Sequence, residues 1–550
     1  MYDVSVSFET EKGISDQASF KTGVREMSYT FDTCSPSRDG STDRLNIFVN
    51  GKRFVGFGGN WGFPEHLMNY RAREYDAAVR YHADMHFTMI RNWVGQICDK
   101  EFYEACDKYG ILIWQDFWLA NPYDGPNPTD EARFMETARQ YVRRIRNHPS
   151  IGIYFGRNEG NPPATINAFL ADMVPAEHPG IAYQPHSSEG AVSGGGPYRA
   201  LPVGEYYTLF GADKFHSERG MPAVMDYENV VRSLGADHVE PYSSVAHPNA
   251  MYGLHDYTLG GGPGISSAQR ADTFNTMLEE AFGEPADAKQ FTEYAQWITY
   301  NGYRGIFEGR IAHRQGLLLW MSHPAWPSFV WQTYDYYLTP TAAYFGCKKA
   351  CEPIHIQLNP LNDLVEAVSW YAQPGGKLTA RAEVLGLDGK PLWARSEEID
   401  LDADQTLSLF PVEFPEDRPD VCFIRLRLAN AAGRIVSENL YWRGKENLKA
   451  LKDIEPARLS CSLKQSSTDE ETVLELTMEN TGETPAMMLR LKAVDSVGGD
   501  LIVPVLYSDN YFFVMPGETK NVTVRLRNED IAGRAELAVS GFNVKEIKLQ

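Results

Sequence analysis

The chain has few of the features that would tie it to an oxidising, membrane or nucleic-acid setting. Its seven cysteines, Cys34, Cys98, Cys106, Cys347, Cys351, Cys422 and Cys461, are odd in number and irregularly spaced, which argues against a disulfide framework. Cys347 and Cys351 stand four apart on one face of an expected helix, but a metal site there would need further ligands nearby. No run approaches ~18 consecutive apolar residues, so no membrane-spanning helix is expected. The opening MYDVSVSFET has no basic stretch followed by an apolar one, so no signal peptide is visible; the chain reads as starting inside a domain, which leaves its compartment open. Positive charge is scarce as well: 52 Lys and Arg face 73 Asp and Glu, a net charge of −21. Such a surface repels nucleic acid and anionic lipid, so neither is an expected partner.

Several chemical signatures are also missing. His82 and His86 are four apart but lack the intervening Glu and third ligand of a zinc site, so they read as core or surface histidines. The glycine runs Gly194–Gly196 and Gly260–Gly262 are not followed by Lys-Ser/Thr and read as loops. No Gly-x-Ser-x-Gly elbow follows a strand. Asn521-Val522-Thr523 is a chance-level match to a glycosylation sequon. No cofactor or metal is expected.

What is present is a long globular chain of 550 residues, 43% hydrophobic and 23% charged, enough for three or four domains. Residues 1–50 read as strands: Val4–Phe8 and Phe20–Val24 alternate, and Leu45–Gly51 ends in Asn-Gly, a hairpin signal. From residue 53 apolar strands alternate with amphipathic helices. Strands are expected at Phe54–Trp61, Phe87–Trp93, Ile111–Phe117, Ile151–Phe155, Ile181–Pro185, near Leu201–Tyr206, at Lys214–Ser217 and at Leu317–Met321. One helix closes at Gly110, a second opens at Pro128-Thr129-Asp130 with Phe134, Ala138, Tyr141, Val142 and Ile145 on one face, and a long one covers 286–310. Eight such strands favour a parallel (β/α)₈ TIM barrel, covered on both sides. After Pro353 the period becomes two, as in Leu378–Val384, Val421–Leu428 and Thr472–Met478, which suits two immunoglobulin-like β-sandwiches. The expected domains are a partial β-sandwich over 1–45, the barrel over 46–353, and sandwiches over 354–450 and 451–550.

In a barrel, reactive groups stand at the C-terminal ends of strands. Those positions carry Asn60 and Trp61, Arg91 and Asn92, Gln115 and Asp116, Asn158 and Glu159, His186, Ser217 and Glu218, then Trp320 and Ser322. The set is rich in carboxylates and rings. Glu159 and Glu218 each follow an apolar strand directly, and two facing carboxylates are what hydrolysis of a glycosidic bond requires. Asn158 stands to hydrogen-bond a sugar 2-hydroxyl, and Arg91 to sit beside a carboxylate as its cation. Aromatics, 12% of the chain with 11 Trp and 29 Tyr, suit stacking on sugar faces, although core packing explains most of them. By position alone Asp116 rivals either glutamate. A strand-end Glu is, taken alone, far more often a solvated or ion-paired residue.

The motifs go further than the spacing. GFGGNW (56–61), FYEACDKYGILIWQDFW (102–118), RRIRNHPSIGIYFGRNE (143–159), FHSERG (215–220), LLLWMSHPAWPSFVWQTYDYY (317–337), YFGCKKACEPIHIQ (344–357) and PVLYSDNYFFVMPGE (504–518) resemble glycoside hydrolase family 2. The likeness is to the branch of β-mannosidases, endo-β-mannosidases and exo-β-glucosaminidases. The resemblance implies Glu159 as general acid/base and Glu218 as nucleophile, with Arg91, Asp116, Asn158 and Trp320, together with Asn60, Trp118 and His186, as sugar contacts. It implies metal-free double displacement with net retention on a terminal β-mannoside or a related β-glycoside, the partner being an oligosaccharide or glycoside. An exo-β-glucosaminidase, an endo-β-mannosidase or an inactive carbohydrate-binding protein are the alternatives. The chain departs from the family at its N-terminus, where a sugar-binding domain is missing or is carried on another chain. It also departs at Gly156-Arg157 and Ser322-His323, which are expected at the pocket rim.

Overall fold

A computed structural model of the chain describes residues 1–36, 39–123, 125–209, 213–259, 271–309, 315–370 and 376–550. The glycine run at 260–262 and the last residue of the helix expected over 286–310 lie outside them. The chain forms two compact units, one of Met1–Gly196, Phe210–Arg219 and His313–Ala325, the other of Pro197–Leu209, Gly220–Ala312 and Trp326–Gln550.

The first unit opens with β1 (Tyr2–Thr10) paired antiparallel to β2 (Gly13–Thr22). Alternation puts Tyr2, Val4, Val6, Phe8, Ala18 and Phe20 on one face, and Asp3, Ser5, Gln17, Ser19 and Lys21 on the other. Lys21 pairs with Asp3 at 2.6 Å on the polar face, while Val6 and Phe8 on the apolar face stay 55% and 66% exposed. Strands β3 (Met27–Thr33), β4 (Asp43–Val49) and β5 (Lys52–Phe54) form a second antiparallel sheet. The expected Asn-Gly hairpin joins β4 to β5: Asn50 and Gly51 have φ of 52° and 72°, the paired positive values of a two-residue turn.

The same unit holds the eight parallel strands. In chain order these elements are β6 (Phe57–Trp61), α1 (Ala72–Asp84), β7 (Met89–Asn92), α2 (Lys100–Tyr109), β8 (Leu112–Asp116), α3 (Glu131–Ile145), β9 (Ile151–Arg157), α4 (Ala164–Glu177), β10 (Tyr183–His186) and β11 (Val192–Ser193). After α5 (Val203–Tyr206), a helix of the second unit, come β12 (Phe215–Arg219) and, later in the chain, β13 (Leu317–Leu319). Their hydrogen-bonded order is β10-β9-β8-β7-β6-β13-β12-β11. Every residue of β6, β7, β8, β9, β12 and β13 is buried, which explains why β8, β9 and β13 open as apolar runs. Helix α3 starts where the sequence indicates: the Asp130 carboxylate accepts the Arg133 N–H (2.9 Å), and Ala138, Tyr141, Val142 and Ile145 are buried.

The sixth strand is a correction. Leu201–Tyr206 is not a strand: Pro202 has no N–H to give a ladder and instead precedes the short helix α5. The strand at that place in the sheet is the two-residue β11, too short to show a period. No ladder joins β10 to β11 among the described residues. Pro185 in β10 likewise lacks a donor.

The second unit contains α5, α6 (Tyr227–Leu234), α7 (Ala250–Leu254), α8 (Asp272–Phe282), α9 (Ala288–Glu308) and α10 (Ala342–Ala350). Then come β14 (Ile354–Leu358), β15 (Leu364–Ser369), β16 (Gly376–Leu385), β17 (Pro391–Leu401), β18 (Gln405–Pro411), β19 (Val421–Asn430) and β20 (Ile435–Gly444). These make two sheets, β14-β15-β18 and β17-β16-β19-β20, closed on a core that includes Ile356, Val365, Leu378, Val384 and Leu426. The chain ends in β21 (Leu459–Ser467), β22 (Glu471–Asn480), β23 (Ala486–Asp495), β24 (Val505–Tyr507), β25 (Phe512–Val514), β26 (Thr519–Arg527), β27 (Ala535–Gly541) and β28 (Val544–Leu549). They form the sheets β21-β22-β26-β24 and β25-β23-β27-β28. Trp297 on α9 joins both sandwiches, its ring 4.9 Å from Trp442 and 5.3 Å from Phe542.

A buried charge cluster fastens α9 to the first sandwich. His355 has both ring nitrogens on carboxylates, Glu308 and Glu352, each at 3.1 Å, and Glu308 also accepts from Asn439 (3.0 Å) and Tyr441 (2.8 Å). Burial alone would lower the His355 pKa, but the hydrogen bonds its ring donates to Glu308 and Glu352 carry it above its ordinary value. Burial would raise the Glu352 carboxyl, yet Lys349 and His355 bring it down to about 2. A raised histidine stabilises the fold fully below its unfolded pKa of about 6.5, and that contribution is lost as pH rises through the folded value. The thermal midpoint gap between the native chain and His355→Gln is therefore expected to be larger at about pH 6 than at about pH 8. An equal gap at both pH values, measured by calorimetry, contradicts the imidazolium clamp.

Candidate active site

Parallel strands bring all their carboxyl ends to one side of the sheet, so Asn60, Arg91, Asp116, Asn158, Glu159, Glu218 and Trp320 share it. The centre of this cluster is Arg91, the third residue of β7, with a side chain 0% exposed. Its Nη1 donates to Glu218 Oε1 (2.7 Å), its Nη2 to Asn158 Oδ1 (2.7 Å), and Nη2 and Nε to Asp116 Oδ2 (2.7 and 3.0 Å). One planar fork thus ties β7 to β8, β9 and β12. Burial alone would lower the guanidinium pKa, but Asp116 and Glu218 outweigh it and hold the pKa above its ordinary value. Arg91 is a permanent cation.

From Asn158 the hydrogen bonds run on to Glu159. Asn158 Nδ2 donates to Asn121 Oδ1 (2.6 Å), and Asn121 Nδ2 donates to Glu159 Oε2 (3.1 Å). Ser187, just past β10, donates from Oγ to Asn158 Oδ1 (3.2 Å) and accepts the Glu159 N–H (3.0 Å). That second bond braces a strained residue, because Glu159 has φ of 44°, in the left-handed region that costs a non-glycine residue about 1 kcal/mol. Glu218 is 2% exposed, whereas Glu159 is partly exposed. The result is one enclosed carboxylate against a cation and one accessible carboxylate against an amide, linked through Arg91, Asn158 and Asn121.

The remaining expected contacts divide. Trp320 is half-buried, meets the Trp93 ring edge-on at 5.0 Å, and precedes a cis Trp320–Met321 peptide. Trp118 is half-buried, 4.9 Å from the Tyr141 ring. His186 is half-buried, with Nδ1 accepting the Ser188 N–H (3.1 Å), and burial lowers its pKa. Two residues are bonded within the strand ends. Asn60 is 0% exposed and donates to the Ser217 and Leu319 carbonyls, both at 2.8 Å, stitching β6 to the ends of β12 and β13. Asp116 is also 0% exposed, and its oxygens are taken by Arg91, the Trp114 indole (2.8 Å) and the Val94 N–H (3.0 Å). It orients Arg91.

The two departures from the family motifs are not at a rim either. Ser322 and His323 are buried. His82, a core histidine, accepts the Trp61 indole N–H at Nε2 (3.0 Å), bonds Ser322 Oγ there (2.7 Å), and donates Nδ1–H to the Ala78 carbonyl (2.8 Å). Burial pushes its imidazole down to about 3, so it stays neutral. His323 stacks on Trp61 at 4.0 Å and donates to the Pro64 carbonyl (2.7 Å). Arg157 is 4% exposed and ties down the loop after β8 through the Ala120 carbonyl (2.7 Å), Asn127 Oδ1 (2.7 Å) and the Gly125 carbonyl (3.2 Å).

Asn121, Ser187 and Trp93 were not singled out from the sequence. They lie in loops or one step past a strand end; Trp93, the last residue of an expected strand, and Ser187, next to His186, had a positional signal, and Asn121 had none. A cavity of about 700 Å³ in the second unit carries a different chemistry: three of its four lining carboxylates are ion-paired, and burial raises the pKa of the fourth, Glu293. Asp226 pairs with Arg490 and Tyr511, Glu228 with Arg490 and Lys492, and Glu546 with Lys492.

Removing the central cation strands two buried carboxylates. Arg91→Met is expected to cost about 3–5 kcal/mol of stability, and Arg91→Lys, which keeps the charge but loses the fork, less. The urea midpoint checks this; an unchanged midpoint in Arg91→Met contradicts it.

Comparison with known proteins fits this geometry. Residues 439–544 match the Exo-beta-D-glucosaminidase Ig-fold domain family, and residues 365–445 the Mannosidase Ig/CBM-like domain family. A mannosylglycoprotein endo-beta-mannosidase of Lilium longiflorum is 26% identical over 95% of this chain and 66% of its own length. An exo-beta-D-glucosaminidase of Streptomyces avermitilis is 26% identical over 99% of this chain and 64% of its own. The chain thus spans just under two thirds of these curated relatives. The crystal structure of the exo-chitosanase of Amycolatopsis orientalis has the same fold, with a TM-score of 0.88 at 22% identity, over 100% of this chain and 69% of that one. Two C-terminal modules of this type, and relatives matched along nearly its whole length, make the chain similar to the exo-β-glucosaminidases and β-mannosidases of glycoside hydrolase family 2.

Proposed function

We propose that the chain is the catalytic portion of a retaining β-glycosidase that hydrolyses terminal β-mannosides or a closely related β-glycoside. The observation that carries the reading is the single buried guanidinium bonded both to Glu218 and to the asparagine beside Glu159. A nucleophile needs a fixed, ionised carboxylate, and Glu218 is held by a permanent cation. A general acid/base needs access to the leaving group and to water, and Glu159 is the exposed member of the pair.

The steps follow. A Glu218 oxygen attacks the anomeric carbon as the bond to the leaving oxygen breaks, and Glu159 gives that oxygen its proton. Water then attacks the same carbon, Glu159 takes a proton from it, and the ester bond to Glu218 breaks. Two inversions give net retention. Asn158 and the Trp320 ring are the sugar contacts of this reading, with Trp118 and His186 at the margin. The relatives named for β-mannoside and β-glucosaminide cleavage set the substrate classes to try.

A panel of nitrophenyl β-mannoside, β-glucosaminide and β-galactoside, with short β-mannosyl and chitosan oligosaccharides, is expected to give turnover on at least the first or second sugar. Glu218→Gln is expected to lose about four orders of magnitude or more while folding normally. The first sugar released is expected to be the β-anomer by proton NMR. Undiminished cleavage by Glu218→Gln, or an α-anomer first product, contradicts the reading.

A further inference from the structure

We infer that Asn121 is a positioning residue for the acid/base: it presents a fixed N–H donor to Glu159 Oε2 and thereby steadies the ionised carboxylate. This deepens the reading above and rests on Glu159 being the acid/base.

The polarity of the chain of amides decides the point. A guanidinium can only donate. Arg91 Nη2 faces one end of the Asn158 amide at 2.7 Å, so that end is the oxygen. Ser187 Oγ, which already accepts the Glu159 N–H, spends its own hydrogen on the same oxygen. The other end of Asn158 is therefore NH₂, and the atom of Asn121 that meets it at 2.6 Å is an oxygen. This leaves the Asn121 NH₂ for Glu159 Oε2 at 3.1 Å. Neither amide can be flipped without setting a donor against a donor. The charge that holds Glu218 thus dictates, through two amides, which hydrogen-bonding sense Glu159 meets.

Glu159 must be protonated in the first step and ionised in the second. A donor fixed on Oε2 favours the ionised form. Arg157 holds the loop of Asn121 from the neighbouring strand through three hydrogen bonds, so the donor is on a braced segment. The charged and titratable groups of the surrounding strand ends are Arg91 on β7, Asp116 on β8, Arg157 on β9, His186 on β10 with Glu189 beyond it, and Glu218 and Arg219 on β12. Replacing Asn121 removes none of them.

Asn121→Ala and the near-isosteric Asn121→Asp are compared with the native chain and with Glu159→Gln on 4-nitrophenyl and 2,4-dinitrophenyl β-mannoside. Loss of the donor is expected to move the alkaline limb of the kcat/KM profile up by about one pH unit in Asn121→Ala. Asn121→Asp, which sets an anion against Glu159, is expected to move it further. Breakdown of the glycosyl intermediate, read as kcat on the dinitrophenyl substrate, is expected to fall about tenfold. In a chain without turnover, ¹³C NMR of labelled glutamate reads the same shift, the Glu159 signal being the one missing from Glu159→Gln. A uniform loss with an unmoved alkaline limb, or Asn121→Asp behaving as native, overturns the inference. If Glu159→Gln shows no greater loss on the poorer leaving group, the acid/base assignment itself fails, whatever the Asn121 variants do.

Discussion

Everything at the strand ends depends on one buried guanidinium. Arg91 is 0% exposed and carries a full charge, which the interior tolerates only because Asp116, Glu218 and Asn158 meet it at hydrogen-bond distance. A lysine would supply the charge but not the planar fork that reaches three strands at once. The same contact that makes the cation tolerable fixes Glu218, so stability and chemistry cannot be separated at this residue. Asp116 completes the arrangement from below, itself held by Trp114 and the Val94 N–H.

The two glutamates sit in contrasting surroundings. Glu218 is enclosed and meets a cation; Glu159 is partly exposed, left-handed, and meets an amide and a serine hydroxyl. A second buried layer under the site, Trp61 with His82, Ser322 and His323, is neutral and fully engaged, and it holds the start of the sheet to the segment after β13.

Much of this was legible in the sequence, and the part that was not has physical reasons. Parallel strands buried on both faces read as apolar runs, so β8, β9 and β13 stood out. The sixth strand did not, because Val192-Ser193 is too short to show a pattern, and Leu201-Pro202 offered a false one. Strand-end position located Arg91, Asn158, Glu159 and Glu218, since every strand of a parallel sheet delivers its last residues to one side. Position does not say what a side chain touches, and so the bonds of Asn60 to the Ser217 and Leu319 carbonyls and of Asp116 to Arg91 came only from the structure. Asn121 and Ser187 had no periodicity to betray them; their place follows only from the fold of the loops. The departures Arg157 and Ser322-His323 were visible as unusual residues, but their roles, a loop clamp and a buried stack, required the structure.

The central claim is that Glu218 bonds covalently to the sugar. Treating the chain with a 2-deoxy-2-fluoro-β-mannosyl fluoride, then digesting and mapping it by mass spectrometry, tests this most directly. The account predicts one sugar per chain, on the peptide bearing Glu218. A label on Glu159, Asp116 or any other residue, or none while an aryl β-mannoside is still cleaved, would contradict it.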